Sequence, residues 1–342
     1  MDELGWHNLP QFMIDPSHGS FAPGKLVVAQ TGGAPTPLAT PQIPTPPDSH
    51  ASSDSPDSRS LPGDDLVSIS TTFFPGATLD AAPADAILLS DDNVWFYVDT
   101  TKLLQCSANN FKKSLMPITG HTNDPFGRII SVPESSVVLN IVLHVIYDIS
   151  CAKYSPPFDA IAAAMSALKT YGVSLHPRIS PGTPLFSLLI TFAPLIPLEL
   201  YILAASYDLY DLAAFASQYL HSLTLSSLTD DMAIQMGAIY LKRLFFMHYG
   251  RVDALRRLLL TPPLPHAPTP QCDSVDQKKL TRAWALASAS LVWDARADIP
   301  TSSIETALGP LADDLTCDLC RATLKDRIKT LVVEWSNIKR TI

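Results

Sequence analysis

The order of apolar runs between Asp85 and Tyr147 constrains this chain more than any other feature. Ala86-Ile87-Leu88-Leu89 is bounded by Asp85 and by the polar cluster Ser90-Asp91-Asp92-Asn93, and Val94-Trp95-Phe96-Tyr97-Val98 follows. Two such runs around an Asp/Asn cluster predict a β-hairpin, because the cluster tolerates turn geometry and the flanks favour pleated backbone. Thr100 or Thr101 is the expected cap of a short helix over 102–107. Ile129 to Val132 predicts a strand, and Pro133-Glu134 the start of the next helix. There Val138, Ile141, Val142, Val145 and Ile146 share one face, as burial against a sheet requires. A further Ala-rich helix is expected from Phe158 to Leu168.

The segment before this has another texture. Residues 1–80 hold 12 of the 30 prolines and nine acidic residues against two basic ones. Such a composition buries too little apolar surface to offset its ordering entropy, so a disordered acidic tail is expected over 1–80. Thr36-Pro37, Thr40-Pro41, Thr45-Pro46 and Ser55-Pro56 are candidate phosphate acceptors, and Trp6, Phe12 and Phe21 candidate docking anchors. The N-terminus lacks the basic and apolar regions of a secretory signal. With five cysteines in such a chain, a reducing, intracellular setting is expected, cytoplasm and nucleus being left open.

From 181 to 342 the pattern is all-helical, broken by a Pro-rich linker at 261–271. Leu185 to Ala205 is apolar enough to raise a membrane reading, but Pro194, Pro197 and Glu199 oppose a span. Two buried helices around a Pro-rich turn are expected instead. Pro197 opens a helix through Tyr207, and another covers 209–220. Thr229 with Asp230 and Asp231 is a good N-terminus, Gly250 a plausible C-cap, and Arg251 to Leu260 a separate short helix. Helices are also expected over 279–293 and 316–339.

The residues from 84 to 172 resemble a BTB/POZ domain. The resemblance rests on the Asp85 hairpin, on Leu103-Leu104 with Cys106-Ser107 and Phe111, and on Leu143 to Tyr147. Two positions depart from the family: Asp99 stands where a His is usual, and the Ser107-to-Phe111 step is one residue longer. Pro197 to Leu209, Tyr240-Leu-Lys-Arg-Leu244, Cys317-x-x-Cys320 and Trp335 look like the helical extension of a fungal group of such proteins. The resemblance implies an α+β BTB/POZ-like domain, a small sheet flanked by helices, followed by an all-α region. It further implies protein partners: a homodimer, an adaptor or scaffold for a cullin-type ubiquitin ligase, or a nuclear transcriptional co-regulator. Leu103, Leu104 and Phe111 are the candidate interface; the alternative is that they serve only the monomer core.

Chemistry has little foothold. Gly-x-Ser-x-Gly, Gly-x-Gly-x-x-Gly, Walker and His-Glu-x-x-His motifs are missing, so a non-enzymatic chain is expected. Basic residues cluster only as pairs (Lys242-Arg243, Arg256-Arg257, Lys278-Lys279), without the footprint of a nucleic-acid binder. Cys317 and Cys320 have metal-ligand spacing, Cys272 supplies a third thiol and His266 a fourth ligand for a structural zinc. Both thiols also lead into Leu324, Ile328, Leu331, Trp335 and Ile338, a helical stripe, so the other reading is cysteine as a small buried hydrophobe, with no cofactor.

Overall fold

Residues 68–79, 82–115 and 128–342 are described by a computed structural model. The Ser/Thr-Pro sites and the three aromatic residues of the tail lie outside the described residues.

The hairpin forms where the polar cluster predicts it, from β2 (Ala86–Leu89) and β3 (Val94–Val98). They pair antiparallel with Leu88 opposite Phe96, and Asn93 takes the turn's positive φ of 59°. β4 (Arg128–Ser131) adds parallel to β2. β1 (Ser68–Ile69) adds parallel to β3, giving the order β1-β3-β2-β4. Ser68 and Ile69, expected in the tail, therefore form an edge strand, and the segment to Phe73 stays tied to β3, with Tyr97 N donating to Phe73 O at 3.0 Å. Phe73 is the reason: it is fully buried, 5.2 Å from the His144 ring and 5.3 Å from that of Tyr147. Burying one such side chain contributes about 1.5–3 kcal/mol.

Two helix starts differ from expectation in an instructive way. In α1 (Thr100–Cys106) the cap is Asp99, whose carboxylate accepts from Thr101 N at 2.8 Å. Thr100 turns back to Asp85 instead, its backbone N–H donating at 2.7 Å. α2 (Ser136–Ile146) begins two residues after Glu134, and its first-turn donors are met from the hairpin: Ser136 N and Oγ donate to Asp92 at 2.7 and 2.6 Å. A carboxylate at a helix N-terminus satisfies orphan donors and opposes the dipole. The hairpin turn and α2 are thus one unit.

α3 (Phe158–Thr170), α4 (Pro184–Leu189), α5 (Pro197–Ser206) and α6 (Tyr210–Ser217) complete the first core. The stretch 185–205 is two helices around a turn, as expected, and among the described residues no helix is long and apolar enough to cross a membrane.

α7 (Asp230–Leu259) runs 30 residues, so Gly250 caps nothing and no separate 251–260 helix exists. Its start is as expected, with Thr229 Oγ1 accepting from Met232 N at 3.3 Å. The break lies at Gly237, whose φ of 69° and ψ of 162° suit glycine almost alone. α8 (Ser274–Trp293), α9 (Thr301–Leu308) and α10 (Asp318–Ser336) form a second core with the end of α7. α8 starts five residues earlier than expected because Asp273 caps it, accepting from Val275 N and Asp276 N at 2.7 and 2.9 Å.

α7 serves both cores: Met236, Tyr240, Leu244 and Met247 face the first, Leu255 and Leu259 the second. Between them Arg251 is buried. Its Nε donates to Ala297 O at 2.8 Å, its Nη1 to Ile338 O at 3.0 Å, and its guanidinium lies 4.3 Å over the Trp335 ring.

Candidate metal centre

The linker of 261–271 is a Pro-rich coil with little apolar anchorage of its own; Leu264 is mostly exposed. It is tied at both ends. Arg327 of α10 holds its start, Nε donating to Thr261 O at 2.9 Å and Nη2 to Leu258 O at 2.6 Å. At the far end Thr269 and Cys272 exchange backbone hydrogen bonds of 2.9 and 3.1 Å, a tight turn that aims the Cys272 thiol inward. Cys317 is the N-cap residue of α10, and Cys320 lies one turn on, beside buried Leu324.

These elements bring four ligand atoms together. His266 Nε2, Cys272 Sγ, Cys317 Sγ and Cys320 Sγ all lie within 4.8 Å of one another. His266 Nε2 is 3.4 Å from Cys317 Sγ and 3.3 Å from Cys320 Sγ, and the Cys272 and Cys320 sulfurs are 3.7 Å apart. A disulfide would hold its sulfurs at about 2.05 Å, so none exists here. A tetrahedral zinc with Zn–S of about 2.3 Å and Zn–N of about 2.0 Å spaces its ligands about 3.5–3.8 Å apart. Three of the six edges, at 3.3, 3.4 and 3.7 Å, lie close to that spacing. The imidazole tautomer fits too: Nδ1 lies 2.7 Å from Ala267 O and must donate to it, which leaves the Nε2 lone pair for a metal.

The protonation pattern is what crowded ligands show. Burial, then the neighbouring thiols, pushes Cys320 up to about 12, and burial also raises Cys272. Cys317 moves the other way, to about 7, held by the Cys320 backbone N–H at the helix start. A divalent cation would displace the two costly protons and balance the thiolates. His266, Cys272, Cys317 and Cys320 could together hold a metal ion such as zinc.

No protein-family model, curated protein or solved structure matches the chain.

The three candidate interface residues are not brought onto one surface. Leu103 and Phe111 are fully buried in the first core, Phe111 stacked at 3.9 Å on Tyr171, while Leu104 is 38% exposed. Leu103 and Phe111 therefore serve the monomer core, because their helix and turn pack inward on α2 and α3, and Leu104 alone offers surface. The five cysteines are all free thiols. Of the metal set, sequence spacing brings out Cys317 and Cys320, and the linker brings in Cys272 and His266. Arg327 and the Thr269–Cys272 turn, which position them, leave no local signature.

Proposed function

We propose that this chain is a non-enzymatic protein-interaction protein of the BTB/POZ type whose helical C-terminal region is fixed by a structural zinc ion. The association reading is carried by the succession hairpin, short helix, strand parallel to the first, apolar helix, second helix between Ala86 and Thr170. The BTB resemblance implies a small sheet flanked by helices, and this succession supports that reading. Its consequence is a self-associating adaptor that presents a partner to a larger assembly, such as a cullin-type ligase. Leu104, with Ile129 and Val137 also exposed in this half, is the residue to perturb.

Light scattering on the full chain across a concentration series tests this. A dimer that Leu104→Asp converts to a folded monomer supports self-association through this region. A monomer at every concentration overturns self-association.

The zinc reading is carried by the four-atom cluster alone. A purified, unchelated sample analysed by elemental mass spectrometry is expected to hold about one zinc per chain. Zinc at background level, with all three thiols reactive to a thiol reagent, would overturn it.

A further inference from the structure

α7 shows more apolar surface than a core-facing helix needs. A helix of a folded domain turns one apolar face inward, and α7 does so with Tyr240, Leu244 and Leu255. Beyond the break at Gly237 it carries a second strip on the opposite side. Ile239 is 65% exposed, Phe246 60% and Tyr249 62%, with Lys242 and Arg256 exposed beside them and Asp253 partly exposed. Large apolar side chains gathered in the open on one strip mark an association surface.

The spacing of the strip says what fits it. Ile239, Lys242, Phe246, Tyr249, Asp253 and Arg256 follow one another at steps of three, four, three, four and three residues. That alternation keeps a seam turned toward a neighbouring helix. The charges then choose the neighbour. When two copies of α7 lie antiparallel with Phe246 beside the partner's Tyr249, the same register sets Lys242 against the partner's Asp253. It also lays Ile239 on the aliphatic stem of the partner's Arg256. Two-fold symmetry makes each contact twice. A parallel pair would instead set lysine on lysine and aspartate on aspartate. Asp253 is bridged at 2.7 Å to Arg257 of its own helix, and a carboxylate accepts a further donor without giving up the first.

We propose that this strip of α7 is a self-association surface on which a second copy of the chain seats its own α7 antiparallel. The seam over 239–256 is about 27 Å long at 1.5 Å per residue, which is short for a stable interface. The contact is therefore weak and reversible, with a dissociation constant of about 10–100 μM. Its charged positions fix the register more than the affinity. Leu104 takes no part in it.

The test uses the full chain carrying Leu104→Asp, which silences association through the sheet half; Leu104→Ser is the background if that variant unfolds. Sedimentation velocity across concentrations spanning the constant above is expected to show a monomer passing into a dimer. Lys242→Glu faces the new carboxylate with the partner's Asp253, and Asp253→Lys brings two amines together. Each alone is expected to weaken the dimer about tenfold or more. Mixed in equal amounts, the two variants match charge again at both contacts, so a dimer of one of each is expected to regain the original strength. Circular dichroism checks that both fold. A monomer at every concentration would overturn the pairing and leave the strip to a helix of another protein. Single variants that dimerise unchanged, or a mixture that stays weak, would overturn it too. Self-association through the Leu104 region is read separately, from the titration without the background substitution.

Discussion

Cys320 is the residue on which the proposed metal centre turns. It is buried, touches His266 and Cys272, and starts the stripe that continues through Leu324, Leu331 and Trp335 into the second core. Cys320→Ser keeps the volume but removes the soft ligand, so zinc content is expected to fall to background and the thermal midpoint with it. Cys106→Ser, remote from the cluster, is expected to retain the metal; elemental analysis beside a melt reads both outcomes. Acid works on other residues. Burial holds His144, His221 and His248 below the ordinary imidazole range in the folded chain, with Lys153 adding to the effect at His144 and Arg251 and Arg340 at His221. The unfolded chain then takes up protons first, near pH 6.5. The stability these groups contribute is complete above that pH and is lost as pH falls below it. Urea midpoints at pH 7.5 and 5.5 check the sign, and an unchanged midpoint would contradict it. How much of the site was legible follows residue by residue. Cys317 and Cys320 announce themselves by local spacing. His266 and Cys272 stand some 50 positions earlier, and only packing decides that they arrive.

At the scale of elements, α7 separates two glycines with opposite roles. Gly237 holds a backbone conformation that side chains rarely adopt, so Gly237→Ala is expected to destabilise by about 1–3 kcal/mol. Gly250 is ordinary exposed helix with nothing within 4 Å of an added Cβ, so Gly250→Ala is expected to stabilise by about 0.5–1 kcal/mol. Denaturant titration of both variants gives the two signs, and equal signs would refute the break at Gly237. Reading the sequence places a glycine stop at the wrong one, since either glycine ends a helix equally well until neighbours decide. The hairpin, α1 and α2 are legible because alternation and apolar faces are local. Their caps are not: Asp92 and Asp99 are polar turn residues on paper, and the helix donors they meet become visible only once the hairpin folds back on α2.

For the whole molecule, the two cores share α7 and are keyed by Arg251. Arg251→Ala leaves the buried Ala297 carbonyl without its donor and removes the bonds to the part-buried carbonyls of Ile338 and Lys339, with an expected cost of about 1–3 kcal/mol. A metal chelator acts on one core only. With chelator present, thermal unfolding is expected to separate into two transitions, the lower one belonging to the second core, and calorimetry with near-ultraviolet dichroism from Trp284 and Trp335 would follow it. A single unshifted transition would show that the cysteines carry no stabilising ion. The segment after α10 returns to the first core, where Ile342 N donates to Ser217 Oγ at 3.1 Å and Tyr210 OH reaches Ile342 O at 3.2 Å. The second core is thereby an excursion anchored at both ends. A protease that nicks the exposed loop near Leu264 would sever the chain without releasing a piece, and the two fragments would travel as one particle until denatured.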